Sequence, residues 1–310
     1  MSTEMTSTAT ASDVLLKAEP PPADIGFSGY LACFRGIVWR EVLRFLHQRE
    51  RFLSALVRPL VWLFIFAAGF RQVLGVSIIP PYQSYVLYET FVTPGLVGMI
   101  LLFNAMQSSL SMVYDRETGA MRTLLVSPFP RSFLLLSKII GGVAVAMLQA
   151  YVFLFVAYFW EIEPGAPAIA LPFGIAIPHP FAGYLTVAPA LFVSGVMLGA
   201  LALFMSSVIK QLENFAGVMN FVIFPMFFAS SALYPLWRIK ESSPLLYEIC
   251  RLNPFTYVVE LIRFGFYGQI DWFSLAVVIG CSVLFLSAAI YAYNPSKGLI
   301  GRRGGPGGGA

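Results

Sequence analysis

Few residues of this chain have the type and spacing that covalent or metal chemistry requires. The sequence holds two histidines, His47 and His179, and three cysteines without CxxC spacing. It contains neither an HExxH nor a GxSxG pattern. Zinc sites and nucleophilic triads need convergent sets of such residues. We therefore expect no catalytic residue, no metal site and no membrane-embedded enzyme.

Nucleotide chemistry and ion coupling find little support in the sequence. The phosphate-binding pattern G-x-x-x-x-G-K-[ST] does not occur. The obvious acid for proton or ion coupling is Glu89, which we place at the membrane interface, at the outer end of an apolar segment. An ion-coupled secondary transporter, the alternative function, would depend on this carboxylate.

The low content of charged residues indicates that most of the chain faces lipid rather than water. It is 58% hydrophobic and 12% charged, with a mean hydropathy of +0.76. A soluble domain carries about a quarter of its residues as charged side chains. Its basic residues flank the apolar segments, which is typical of membrane topology and gives no support to nucleic-acid binding. The composition predicts an all-α membrane protein.

Six segments are long and apolar enough to cross a membrane, since a helical span takes about 20 residues. They are 52–70, 91–113, 139–160, 181–209, 215–237 and 272–293. Of the 20 Lys and Arg residues, only Arg71, Arg238, Lys240, Arg251 and Arg263 would then lie outside. This asymmetry places both termini in the cytoplasm. The tails 1–29 and 294–310 read as disordered, and 52–293 forms the six-span domain.

Residues 30–51 are predicted to form an amphipathic helix in the cytoplasmic interface, ahead of the first span. Two sets of residues fall on opposite faces: Leu31, Phe34, Val38, Val42 and Phe45 on the apolar face, and Arg40, Arg44 and Arg51 on the basic face. The basic face could meet anionic lipid headgroups or a protein partner. The sequence favours neither reading over the other.

A charged elbow follows the second predicted span. We expect a helix over 114–126, a break at Pro128 and Pro130, and a short helix over 132–138 that leads back into the membrane. Its polar and turn residues are Asp115, Arg116, Glu117, Gly119, Arg122, Pro128 and Arg131. Such an elbow could pass motion from a soluble partner to two spans, although an ordinary positive-inside loop has the same composition.

The outer segment 238–271 holds two helices that are too short to span. Asn253 followed by Pro254 is typical of a helix start, with an Asn cap and proline in the first helical position. The second helix carries Tyr257, Glu260 and Arg263. We predict helices over 244–251 and 254–267 that re-enter the outer leaflet or lie on it.

Several stretches of this sequence, in this order, resemble the ABC-2 family of exporter permeases, over roughly 31–293. They are Thr93-Pro-Gly-Leu-Val, Phe103-Asn-Ala-Met-Gln-Ser-Ser-Leu-Ser, Asp115-Arg-Glu-Thr-Gly, Leu124-Leu-Val-Ser-Pro, Asn220-Phe-Val-Ile-Phe-Pro-Met-Phe-Phe-Ala-Ser-Ser-Ala-Leu-Tyr-Pro and Leu252-Asn-Pro-Phe-Thr-Tyr.

The resemblance implies a transport subunit that is not itself an enzyme. Two copies would pair as a homodimer in a bacterial inner membrane, and each would dock a separate ABC nucleotide-binding subunit that binds the ATP. The elbow and the interface helix would transmit ATPase motion, and the short outer helices would lie at the exit of the path. The cargo would be a lipid, glycolipid or drug-like molecule.

Overall fold

Apolar runs fold into ten α-helices in the part of the chain that the computed structural model describes: residues 26–47, 49–70, 80–82, 86–117, 128–159, 162, 165, 169–170, 176–178, 181–209 and 212–292. They are α1 (Phe27–His47), α2 (Arg49–Phe70), α3 (Tyr88–Glu117), α4 (Arg131–Tyr158), α5 (Phe181–Val208), α6 (Leu212–Phe228), α7 (Leu236–Ser242), α8 (Pro244–Leu252), α9 (Pro254–Gly265) and α10 (Trp272–Ala292).

Four described helices are long and apolar enough to cross a membrane: α3, α4, α5 and α10. The protein is therefore an all-α membrane protein, as the composition predicts. The first and fifth predicted spans correspond to α2 and α6, whose described apolar stretches, Leu56–Ile65 and Gly217–Phe228, are shorter. In the predicted outer loop between α4 and α5, the strands β1 (Ile169–Ala170) and β2 (Ala176–Ile177) pair antiparallel.

The fifth predicted span, 215–237, extends beyond the end of the helix found there. The helix α6 ends at Phe228, and a turn over 229–234 follows it. The Ser230 hydroxyl donates to the Phe227 carbonyl at 2.6 Å and accepts from the Ala232 amide at 3.2 Å. A side chain that bonds to its own backbone in this way competes with helix continuation.

Two further boundaries also differ from the prediction. The short helix expected over 132–138 is the first part of α4, because no glycine or proline interrupts the chain between it and the span. The predicted interface helix ends at His47, whose Nδ1–H donates to the Leu43 carbonyl at 2.8 Å. Arg51 therefore belongs to α2 and not to the interface helix.

The helix α5 forms the centre of the bundle and packs against α3, α4, α9 and α10. Gly195 and Gly199 lie on its face toward α4, where a side-chain Cβ would come within 2.9 Å of Val143 and 2.8 Å of Ile139. Small residues at this spacing let two membrane helices approach closely. The four-residue spacing in the sequence thus sets the α4–α5 contact.

The first turns of α3 contact the turn that follows α6. The Tyr88 hydroxyl donates to the Leu233 carbonyl at 2.9 Å. A Cβ built on Gly95 would lie 2.7 Å from the Ala232 Cβ and 2.8 Å from its Cα. The turn can rest on α3 only because residue 95 has no side chain.

Gly95→Ala should therefore destabilise the protein even though alanine favours a helix. The new methyl group meets main-chain atoms of Ala232, and such overpacking costs about 1–3 kcal/mol. Thermal unfolding in detergent measures the loss. Gly280→Ala, at a helical position with no atom within 4 Å of the added Cβ, is the matched control and should be neutral or stabilising. Equal stability of the two variants would contradict the contact.

Candidate functional site

Asn253 joins the C-terminus of α6 to the N-terminus of α9, at the end of the bundle that the sequence predicts to be outside. Its Oδ1 accepts from the Phe255 amide at 3.0 Å and caps the start of α9. Its Nδ2 donates to the Met226 carbonyl at 2.7 Å and to the Ala229 carbonyl at 2.6 Å. One side chain therefore satisfies backbone groups at the C-terminus of α6 and the N-terminus of α9.

Side chains in the first turn of α9 also accept this role for a third helix, because they bond to the last carbonyls of α8. The Thr256 hydroxyl donates to the Cys250 carbonyl at 2.7 Å, and the Tyr257 hydroxyl donates to the Arg251 carbonyl at 2.8 Å. Both carbonyls lie in the last turn of α8, where no intrahelical amide remains for them. We call the ends of α6 and α8, the turn 229–234 and the start of α9 the outer junction.

Arg263 of α9 is buried beside this junction. Its side chain is 4% exposed; Nη1 bonds to the Glu260 carboxylate at 2.5 Å, and Nη2 donates to the Ser231 carbonyl at 2.8 Å. The guanidinium lies 4.3 Å from the ring centroid of Phe91 on α3. Arg263 thus links α9 to the turn and to α3 through an ion pair, a hydrogen bond and a cation–π contact.

Two phenols near Arg263 remain neutral. Burial raises the pKa of Tyr82, and burial raises the pKa of Tyr267 to about 12. Their rings meet edge to face at 5.2 Å. In the described part of the chain, Glu260 is therefore the anion that balances Arg263.

An open pocket of about 470 Å³ lies beside this ion pair. Its lining combines the aromatic side chains of Tyr82, Phe91, Trp237, Tyr257, Phe264 and Phe273 with the charged groups of Glu260 and Arg263. The pocket therefore has room and aromatic surface for a ligand with an apolar body, beside an ion pair.

At the end of the bundle that the sequence predicts to be cytoplasmic, α1 runs along the first third of α4. Tyr30 meets the rings of Phe129 and Phe133 edge to face at 5.2 and 5.1 Å. Further along, a Cβ on Gly141 would lie 3.1 Å from the Glu41 Cγ. Contacts that advance in the same direction along both helices make α1 and α4 parallel neighbours here. We call this contact the α1–α4 clamp.

The basic face of α1 is partly neutralised by an acid of the same helix. Glu41 is buried, and its Oε1 lies 3.2 Å from Arg40 Nη2 and 3.8 Å from Arg44 Nη1. Arg40 and Arg44 are partly exposed and lie at the edge of the contact with α4. The predicted apolar face is only partly buried, because Leu31 is exposed.

Of the elbow, the structure describes the two ends. Asp115, Arg116 and Glu117 lie in the last turn of α3, Pro128 precedes α4, and Arg131 is its first residue. Gly119 and Arg122 lie outside the described residues. The five residues predicted for the outer region lie at the N-cap of α9 and within it; they are Asn253, Pro254, Tyr257, Glu260 and Arg263.

Sequence reasoning missed several residues that lie against the predicted ones. Glu41 interrupts the apolar stripe of α1 between Val38 and Phe45, which could have indicated a buried acid. Gly141 occurs in a Gly-Gly pair at the level where α4 meets α1. No local signal marked Tyr82 or Ser231, because their role depends on a contact with Arg263 that is distant in sequence.

The ABC-2 type transporter family profile matches residues 33–267. The chain is 25% identical over 240 residues to a putative transport permease, ycf38, of Pyropia yezoensis, covering 77% of this chain and 75% of the relative. It is 24% identical over 260 residues to the inner membrane transport permease YadH of Escherichia coli K12, covering 84% and 92%. A probable multidrug ABC transporter permease of that organism, YbhR, is 28% identical over 59% of this chain.

Asn253→Asp should separate the two roles of this residue. The aspartate keeps an acceptor for the Phe255 amide but cannot donate to the Met226 and Ala229 carbonyls at the end of α6. Each buried carbonyl left unpaired costs about 1–3 kcal/mol, so we expect most of the loss seen in Asn253→Ala. Thermal unfolding in detergent measures the stability of both Asn253 variants. Gln269→Glu, at an exposed position, is the control for replacing an amide by an acid. Wild-type stability of Asn253→Asp would show that the α6 contacts contribute little.

Proposed function

This chain belongs to the ABC-2 type transporter family, and on that premise we propose that it is the membrane-spanning subunit of an ATP-driven exporter. A separate nucleotide-binding subunit supplies the ATPase, consistent with the lack of a phosphate-binding loop in this sequence. The observation that carries the proposal is the α1–α4 clamp. This contact holds the partly basic helix α1 against α4, the helix that follows the elbow. Transmission of motion from the elbow requires such a contact.

The proposed topology has six spans with both termini in the cytoplasm of a bacterial cell, in the inner membrane. Four helices meet the length and hydropathy of a span by themselves. The distribution of Lys and Arg supports the orientation. The likeness to an inner membrane permease over 84% of the chain supports the location.

The proposed coupling surface consists of the elbow and α1. A nucleotide-binding subunit would contact Glu117, Arg122 and Arg131, and the exposed parts of Arg40 and Arg44 would border this contact. Because Tyr30 packs on Phe129 and Phe133, a push on the elbow would move α1 and α4 together.

The proposed role of α8 and α9 is to enter the outer leaflet at the exit of the path. In support, a Cβ on Gly98 of α3 would lie 3.1 Å from the Phe255 ring. Gly98 is ten residues into α3, about 15 Å from its outer end. The capped helix ends of the outer junction are what irregular backbone needs at such a depth. The aromatic pocket would then receive cargo at the outer side.

A homodimer that exports a lipid, glycolipid or drug-like molecule is the assembly and cargo we propose. The exposed aromatic side chains of α6, Phe221, Phe224 and Phe228, suit an amphipathic molecule that enters from the bilayer. The ion-coupled alternative is weaker, because Glu89 lies buried in the first turn of α3, where the helix N-terminus favours a carboxylate without any transport role.

Affinity purification of the tagged chain from its native host in mild detergent tests the function. We expect a stoichiometric partner with a phosphate-binding loop and ATPase activity. A stable, monodisperse chain that repeatedly purifies without such a partner, and that transports on a proton gradient alone, would overturn the proposal.

Gly141→Leu should uncouple ATP hydrolysis from transport. The side chain would collide with Glu41 and with the Val38 backbone, whose Cα lies 3.5 Å from a Cβ at this position. Overpacking of about 1–3 kcal/mol would displace α1 from α4. Transport per ATP hydrolysed, measured in proteoliposomes with the ATPase subunit, should fall while membrane insertion is retained.

The matched control is Gly36→Leu, an exposed position of α1 where an added Cβ has no neighbour within 4 Å. It should leave the ratio of transport to hydrolysis unchanged. Equal ratios in wild type and Gly141→Leu would remove the clamp from the coupling route.

A further inference from the structure

Arg58 is a cation on a helix face that is otherwise apolar. The exposed positions around it on α2 are Val57, Val61, Phe64 and Ile65. A face of that composition suits lipid, and an arginine within it is unfavourable unless it lines a polar route or has a counter-charge. Among the described residues, no carboxylate forms an ion pair with Arg58.

The guanidinium lies against an apolar helix. Its Cζ is 4.2 Å from the ring centroid of Phe103. Phe103 lies two residues from the middle of the apolar stretch Tyr88–Tyr114. The Arg58 head is therefore held over an aromatic ring of α3, and a cation–π contact offsets only part of the cost of placing it on an apolar surface.

Aromatic side chains of three helices form a connected surface that begins at the ring in contact with Arg58. Phe103 of α3 forms the floor, with Phe224 of α6 edge to face against it at 6.4 Å. Trp62, one turn after Arg58 on α2, meets Phe228 of α6 at 5.9 Å. The exposed face of α6 continues this surface with Phe221, which is 79% exposed. We call this surface between α2 and α6 the Arg58 groove.

We propose that the Arg58 groove binds an amphipathic molecule with an anionic headgroup, a phosphate or a carboxylate on a lipid-like tail. Arg58 supplies the counter-charge. Its contact among the described residues is with a ring face, and a guanidinium can form bidentate hydrogen bonds to an anion. The phenylalanines of α6 and Trp62 contact the tail. That this molecule is the cargo rests on the proposed export function, whereas the binding site itself does not.

Trp62 makes the site measurable by fluorescence quenching. The full chain, with Trp39, Trp160, Trp237 and Trp272 replaced by Phe, is reconstituted in dioleoylphosphatidylcholine vesicles. Dibrominated phosphatidylglycerol and dibrominated phosphatidylcholine are compared as quenchers of Trp62. We expect about a fivefold preference for the anionic lipid, the scale of one basic side chain near an anionic headgroup.

Arg58→Gln should abolish this preference, Arg58→Lys should retain part of it, and Arg251→Gln, which removes an outer cation, should leave it unchanged. Equal quenching by both lipids in the unsubstituted groove overturns the proposal, and so does a preference that survives Arg58→Gln. No quenching by either lipid overturns it as well, because a second copy of the chain would then cover the groove.

The ATPase activity of this chain in complex with its nucleotide-binding subunit distinguishes a transported cargo from a resident lipid. Stimulation by phosphatidylglycerol that is lost in Arg58→Gln supports the anionic amphipath as cargo, and no stimulation overturns that part. If no ATPase partner exists but the Arg58-dependent preference holds, the export function fails and the anion site stands.

Discussion

The side-chain amide of Asn253 satisfies the ends of two helices at once, and the architecture of the outer half depends on it. Away from water, the last carbonyls of α6 and the first amides of α9 need protein partners. With both supplied by one residue, α6 can stop at Phe228 and the chain can turn across α3. The helix α9 can then pack between α3 and α5. The close approach at Gly95 and the ion pair of Arg263 both follow from that placement.

Charge is used sparingly, and its distribution separates three environments. Glu41 with its two arginines lies at one end of the bundle, and Glu260 with Arg263 lies at the other. In each set one buried charge, that of Glu41 or that of Arg263, is compensated by a more exposed partner. Arg58 differs, since an aromatic ring is its contact within the described structure. This contrast separates charges that fix helices in place from a charge that remains available for binding.

The helix α3 connects these environments. Its first turns carry the outer junction through Tyr88, Phe91 and Gly95, its middle holds Phe103 under Arg58, and its last turn enters the elbow. The close-packed contact of α4 with α5, set by Gly195 and Gly199, makes the neighbouring helices a rigid support. Movement of the elbow would therefore reach the groove and the exit through packed side chains.

The sequence by itself determined the class of the protein and most of its helices, because apolar runs, prolines and the Asn-Pro cap act through local backbone physics. It placed Asn253 and Pro254 at a helix start and α5 and α10 within a residue or two. It could not set where α6 ends or which residues meet Arg263, Glu41 and Arg58. Those depend on contacts between residues far apart in the chain, and on whether a side chain meets lipid or protein. An apolar side chain has the same hydropathy whether it faces lipid or protein, so only the tertiary packing decided which surface it meets.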